Sequence, residues 1–433
     1  MAKFTLMRWF PLTVARSPAP CKELVLPLPA AILVFVAAAC AGQAPAFTSS
    51  PRPAAGQVAG TTNLLQVTPF SLASQIEDAL AKGDSNATRK LVSQLLMESR
   101  LPAETLLRTG ASLAEHDLYP EATKVFERCV RDFPQVFEGY YNLALAELAL
   151  REFPGALATL AKAPPTTPSG EVARTYLRGK IEAALGKNAA AEKDLAASVQ
   201  AAPGEENYAL DLGLFYLQSY NYQAALAVFQ KATRFQKNSP FLQLGLGLSQ
   251  FLAGHELEAV ETCRALLAMQ PDFSTARLLM GFALYVQGNI EEAERTADQG
   301  LRGPNPSVYL LYLDAVCLLK LQSQNYARMT NDLTTAARAI PRCSLCYLAL
   351  SKAHQRKGEQ SNAKADLERA IGIDPNLAEA WYRLASLYEQ AGQGEAAAQA
   401  RRRFEELKGK KVNQETEMLR DAFVKSLGGE SPP

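Results

Sequence analysis

One spacing constrains this chain more than any other feature. Ala122, Ala156, Ala191, Ala225, Ala259, Ala293, Met329, Ala363 and Ala397 follow one another at intervals of 34 to 36 residues. Four residues after most of them stands a bulky apolar residue: Phe126, Leu160, Leu195, Phe229, Cys263, Leu333 and Leu367. Three further on comes a mostly small one: Cys129, Ala163, Ser198, Ala232, Gly300, Ala336 and Ala370. Steps of four and three return to the same face of an α-helix. A single unit of this length cannot bury such a face alone, so a fixed period specifies a stack in which each unit covers the next.

The rest of each unit is punctuated in the same register. Prolines close many units at one phase (Pro134, Pro168, Pro203, Pro271, Pro341 and Pro375), where a helix cannot be continued. Gly83, Gly186, Gly254, Gly288, Gly358 and Gly392 mark a bend between two helices. Upstream of the bend stand small residues where helices must approach closely, among them Gly110, Ala144, Gly179, Gly213, Gly247, Gly281, Ser351 and Ala385. Each is preceded four residues earlier by a larger side chain, clearest in Tyr140, Tyr347 and Trp381.

These residues resemble the tetratricopeptide repeat signature, most completely in Trp381, Leu384, Ala385, Tyr388, Gly392 and Ala397. The unit before it carries Tyr347, Leu350, Gly358, Ala363, Leu367, Ala370 and Pro375. The resemblance implies an all-α fold, a right-handed α-solenoid of about ten helix-turn-helix units. By phase the units are 69–102, 103–136, 137–170, 172–205, 206–239, 240–273, 274–307, 308–343, 344–377 and 378–411, so the array covers 69–411. The eighth holds about two extra residues around Gln322–Asn325. Beyond it, residues 412–427 read as a capping helix: Asn413 at its start, Glu415 and Glu417 in its first turn, and a stripe of Met418, Leu419, Ala422, Phe423 and Leu427.

The beginning of the chain has a different character. Lys3, Arg8, Arg16 and Lys22 precede an uncharged run from Leu24 to Ala41 that ends in small residues, so 1–41 reads as an export signal. Two processing sites compete. Ala37-Ala38-Ala39-Cys40 resembles the lipobox of bacterial lipoproteins, which makes Cys40 the lipidation candidate; Ala44-Pro45-Ala46 before Phe47 would release a soluble protein. An uncleaved anchor is a third reading of the apolar run. Residues 42–68 are Ala, Pro, Gly, Ser and Thr with almost no charge, a composition that cannot bury a core and reads as a flexible tether. The expected location is accordingly exported, either periplasmic or lipid-anchored to the cell envelope.

Little in the chain points to catalysis. Lys plus Arg number 45 against 44 for Asp plus Glu, which gives no overall attraction to nucleic acid or an anionic membrane surface. Membrane contact is therefore expected only through the N-terminal signal or a lipid at Cys40. The three histidines, His116, His255 and His354, are scattered, and no phosphate loop, H-E-x-x-H or G-x-S-x-G is present. No enzyme, cofactor or metal site is expected. Cys129, Cys263 and Cys317 fall on apolar helical slots, whereas Cys343 and Cys346 form C-S-L-C at the start of a helix. That pair is a disulfide candidate; reduced packing and a redox centre are the alternatives. The run Arg401-Arg402-Arg403 with Lys408, Lys410 and Lys411 reads as a solvated helix face.

In the family that the chain resembles, the first helices of successive units line a concave groove where protein ligands lie. Here those positions bring Leu210, Leu214, Leu217, Phe241, Leu244, Leu248, Phe251, Leu278, Phe282, Tyr285, Tyr312, Val316 and Leu319 into register, an apolar stripe flanked by Lys180 on one side and Lys352, Gln355, Glu379, Arg383 and Glu389 on the other. The competing reading is that these side chains are buried against one another. Some family members hold a C-terminal carboxylate in a clamp; Asn142 and Lys180 are isolated candidates for one, and no three consecutive units carry the set. The leading functional expectation is a non-enzymatic scaffold that binds a peptide or helix in the concave groove. A carrier of hydrophobic exported segments and a redox accessory using Cys343 and Cys346 are the alternatives.

Overall fold

The computed structural model describes residues 69–408 with the exception of Pro341. The segments 1–68 and 409–433, which hold the export signal, Cys40, the tether and the capping helix expected from sequence, lie outside the described residues. Among the described residues there are helices and short connections and no strand. The helices pair as hairpins: α1 (Pro69–Ala81) with α2 (Ser85–Leu95), α3 (Ala103–Glu115) with α4 (Tyr119–Asp132), α5 (Phe137–Ala149) with α6 (Phe153–Lys162), and α7 (Pro168–Ala184) with α8 (Asn188–Ala201). Then come α9 (Glu206–Gln218) with α10 (Tyr222–Phe235), α11 (Pro240–Leu252) with α12 (Glu256–Met269), and α13 (Ser274–Gln287) with α14 (Ile290–Leu301). The last are α15 (Val308–Lys320) with α16 (Tyr326–Ala339), α17 (Ser344–Lys357) with α18 (Gln360–Ile373), and α19 (Ala378–Gln390) with α20 (Gly394–Lys408). This is an all-α solenoid of repeated hairpins. It divides into two compact units, and the division falls after Phe215, inside α9.

The bend within each hairpin is the same device throughout. Gly83, Gly186, Gly254, Gly288, Gly358 and Gly392 all have φ between +69° and +86°. The remaining four hairpins place Asp117, Arg151, Tyr220 and Gln322 at the equivalent point, with φ of +55° to +62°. The left-handed residue lets the next amide reach back five residues to a helix-end carbonyl, as in Asn289 N–H to Leu284 O at 2.9 Å and Asn221 N–H to Tyr216 O at 2.8 Å. Glycine occupies that conformation without a Cβ clash, and the other side chains do so at a cost.

The recurring face found in the sequence is the core of each hairpin. Ala122, Phe126 and Cys129 are buried, as are Ala225, Phe229 and Ala232, and Ala363, Leu367 and Ala370. Close approach depends on missing side chains. A Cβ added at Gly245 would lie 2.5 Å from the Phe229 ring, and one at Gly281 would lie 2.5 Å from Leu313. Successive hairpins are also tied by arginines that cap the carbonyl ends of a preceding segment. Arg128 donates to Leu95 O at 3.0 Å and to Glu98 O, and Arg356 donates to Leu319 O.

Two details differ from the sequence-based expectation or refine it. Pro134, Pro203, Pro271 and Pro375 stand two residues after the ends of α4, α8, α12 and α18, but Pro168 opens a helix instead of closing one. It sits at the first position of α7, behind Thr167, whose hydroxyl accepts from Gly170 N–H at 3.2 Å. Proline has no amide to satisfy there, and its φ already suits a helix start. The two extra residues of the eighth unit widen the connection between Lys320 and Tyr326, where Asn325 caps α16 by accepting from Arg328 N–H at 3.2 Å.

Candidate partner-binding surface

The first helices supply the stripe to which the sequence assigns partner binding. Leu210 and Leu214 belong to the first compact unit, and the others to the second. In the second unit α11 carries Leu244, Leu248 and Phe251, α13 carries Leu278, Phe282 and Tyr285, and α15 carries Tyr312, Val316 and Leu319, three helices with apolar residues at one phase. All nine are buried, as are Leu210 and Leu217. Only Leu214 and Phe241 are half-buried, and the Phe241 ring meets Phe273 edge-on with centroids 6.4 Å apart. These side chains are already withdrawn from water, as the hydrophobic effect favours for so dense a row of leucines and aromatics.

The flanking polar residues are paired. Lys352 lies 2.9 Å from Glu379, Arg383 lies 2.7 Å from the same carboxylate, and Arg383 also donates to Gln355 at 3.2 Å. Burial pushes the Glu379 pKa up, but the two cations outweigh it and hold the carboxyl below its ordinary range. Glu389 pairs with Arg401 at 2.6 Å. In the first unit Lys180 is buried and lies 2.7 Å from the buried Asp211, which also accepts from the Tyr176 hydroxyl. Tyr208 stacks on Tyr176 with ring centroids 4.2 Å apart. Lys180 is thus engaged with a carboxylate of its own chain, and Asn142 is half-buried on α5.

A second charged cluster lies on α14, α15 and α16, at positions that the repeat pattern does not single out. The Arg328 guanidinium lies 2.6 Å from Asp314, 2.9 Å from Asp298, 3.8 Å from Asp332 and 3.9 Å from Glu294. Asp314 is fully buried, and burial raises its pKa to about 7 despite the adjacent guanidinium. Both clusters have a sequence signal: a lone aspartate inside an apolar helical run, in Tyr208-Ala-Leu-Asp211-Leu and in Leu313-Asp314-Ala-Val.

Cys343 and Cys346 are joined by a disulfide, with Cα atoms 5.3 Å apart, and Cys343 Sγ also accepts from Cys346 N–H at the start of α17. Both cysteines are buried. The free thiols Cys129 and Cys263 are buried too, and burial pushes their pKa values to about 11 and about 12, which suits packing and not nucleophilic chemistry. His354 is half-buried and hydrogen-bonds Asp366 at 2.6 Å; His116 bonds the Ser112 carbonyl at the end of α3; His255 lies 3.9 Å from Glu258. Of the terminal basic run, Arg403 and Lys408 pair with Glu406 and Glu405 on the surface, while Lys410 and Lys411 lie outside the described residues. Among the described residues no group of three or more His, Cys, Asp or Glu side chains is placed to hold a metal ion, and no helix is long and apolar enough to cross a membrane.

Family models of the tetratricopeptide repeat match residues 107–171, 176–240 and 345–377. The chain carries tetratricopeptide repeats. It is 29% identical over 178 residues to human tetratricopeptide repeat protein 13, a match that covers 38% of this chain and 20% of that protein, so the chain spans about a fifth of the relative's length. Among solved structures it is similar to a tetratricopeptide repeat protein from Parabacteroides merdae, with 17% identity and a TM-score of 0.43 over 58% of this chain and 98% of that one. It is also similar to the C-terminal part of a repeat protein from Cytophaga hutchinsonii, with 15% identity and a TM-score of 0.41 over 63% and 97% of the two chains. Proteins built from these repeats serve as interaction scaffolds.

Proposed function

We propose that this tetratricopeptide array is a non-enzymatic scaffold of the cell envelope that holds an amphipathic helix or apolar extended segment of a partner protein on its first-helix face. The observation that carries this reading is the phase identity of Leu244, Leu248 and Phe251 with Leu278, Phe282 and Tyr285 and with Tyr312, Val316 and Leu319 on three successive first helices. The second helices contribute to the core of each hairpin through residues such as Phe229, Cys263 and Leu333. The first helices thus repeat a second apolar pattern that a continuous segment could read at helical spacing. Because its side chains are buried, a partner must compete with the packing they already have, and the proposed entry is the half-buried Phe241–Phe273 edge.

Export to the envelope is supported by the charged, apolar and small-residue sequence of 1–41 and by the disulfide, a bond that persists in oxidising compartments. The burial of both sulfur-bearing residues favours a structural bridge over a redox accessory. The test uses full-length protein carrying a photoreactive phenylalanine analogue at Phe241, with a matched protein labelled at Leu257, which is 71% exposed. Irradiation in cells should yield one discrete adduct from position 241 and none from 257. Equal labelling from both positions would remove the face assignment. Mass analysis of the mature N-terminus with fractionation checks the location: acylated Cys40 or a free Phe47 supports export, and an intact N-terminus on protein recovered with the cytosolic fraction opposes it.

A further inference from the structure

We infer that Arg328 and the four carboxylates around it form a proton-sensitive joint between the seventh and eighth repeats, in which Asp314 and Asp332 share a proton that holds α15 against α16. The argument begins with charge. Glu294 and Asp298 on α14, Asp314 on α15 and Asp332 on α16 all face one guanidinium, and the further cation at the rim, Arg302, is bound to Asp298 and exposed to solvent. One cation at the centre cannot neutralise four carboxylates, and uncompensated charge is costly where water is excluded.

Geometry selects which acid takes the proton. Asp314 is fully buried; its Oδ1 receives Arg328 at 2.6 Å, while its Oδ2 is buried and has no donor. Asp332 is a side-chain hydrogen-bonding neighbour of Asp314, and Asn331 donates to Asp332 Oδ1 at 3.2 Å. A proton on Asp314 Oδ2 gives the orphan oxygen a role as donor to Asp332 and removes one negative charge from the interior. The raised pKa of both acids, caused chiefly by burial, agrees with this arrangement. The other elements packed on α15 bring no competing acid. From α13 the Tyr285 ring faces Lys320 at 4.3 Å, from α17 Arg356 is bound to the Leu319 carbonyl, and on α15 itself the buried Cys317 thiol is pushed above its ordinary range, by burial first and then by Asp314.

The direction of the effect follows from linkage. A carboxyl whose folded pKa lies above its unfolded value contributes most stability when fully protonated, and loses that contribution as pH rises through the folded value. With the folded value near 7, opening of this joint should increase about tenfold between pH 6 and pH 8. Hydrogen exchange of the full chain, corrected for the intrinsic pH dependence of amide exchange, reads this directly. The expected result is that increase in α14–α16 with no matching change in α11–α12, and a flat profile in Asp314→Asn, whose amide mimics the protonated acid. An unchanged pH slope in D314N would overturn the inference, as would a flat profile in the unmodified chain. Should the variant fail to fold, infrared spectroscopy of the unmodified protein in heavy water decides: a protonated-carboxyl band at pH 6 that disappears by pH 8 supports the shared proton, and its absence at pH 6 refutes it.

Discussion

Two buried carboxylates, one in each compact unit, are accommodated in opposite ways. Asp211 in the first unit is matched by a single buried cation, Lys180 at 2.7 Å, and by a hydroxyl donor from Tyr176. Burial and the adjacent Asp211 charge together push the Tyr176 hydroxyl well above its ordinary pKa, so it remains a donor at every relevant pH. Asp314 in the second unit meets a guanidinium that is divided among four acids. The two sites bury an acid differently: one by one-to-one pairing with a buried cation, the other beside one cation that four acids share.

The largest expected effect breaks the matched pair. Lys180→Met should cost about 3–5 kcal/mol of unfolding free energy, because it strands a buried carboxylate beside a tyrosine. Adding Asp211→Asn to it should recover most of that loss, since replacing both partners removes the unpaired charge. Denaturant titration of the two variants at pH 7 checks this, and a double variant no better than the single would mean that Lys180 acts through packing alone. A smaller effect is expected from Arg328→Lys, about 1–3 kcal/mol, since a single ammonium cannot keep the Nη2 contacts to Asp298 and Asp314 together with those of Nη1 to Glu294 and Nε to Asp332. In Asp314→Asn the change should lie in pH dependence: relative to the unmodified chain, its thermal midpoint should rise between pH 6 and pH 8, because only the unmodified protein loses the proton-linked contribution.

The period of 34 makes most of the fold legible, because steps of four and three between Ala122, Phe126 and Cys129 have one physical meaning on a helix. The six bend glycines are equally readable, and each has the positive φ that its residue type suggests. What the same pattern does not disclose is accessibility. Leu248 and Phe282 occupy first-helix positions whether a face is open or covered, and burial is decided by the helices packed around them. Pro168 misleads because a proline two residues past a helix and a proline at a helix start look alike without their hydrogen bonds; Thr167 settles which it is. The charged clusters are hidden for a related reason. A lone aspartate in an apolar run signals a buried partner, but naming that partner as Lys180 or Arg328 requires the register between different repeats.

The smallest expected effect extends the contrast between matched and unmatched sites to the backbone. Six hairpin bends place glycine in the left-handed conformation, whereas Asp117, Arg151, Tyr220 and Gln322 hold it with a side chain. Tyr220 gains a contact in exchange, its ring lying 6.3 Å from that of Tyr222, so its replacement mixes two effects. Arg151 is exposed and its backbone makes the same turn, with Glu152 N–H reaching Glu147 O at 2.8 Å, so Arg151→Gly isolates the backbone term. Relief of the left-handed strain contributes about 1–2 kcal/mol, and the greater freedom of glycine in the unfolded chain offsets about half of it. Arg151→Gly should therefore stabilise the protein by about 0.5–1 kcal/mol, and Gly254→Ala should destabilise it by a similar amount, since a Cβ at Gly254 meets no atom within 4 Å and adds no clash of its own. Denaturation midpoints that move in opposite directions for the two variants, at constant slope, would show that bends in both compact units obey one backbone rule, in contrast to the two ways in which those units bury charge.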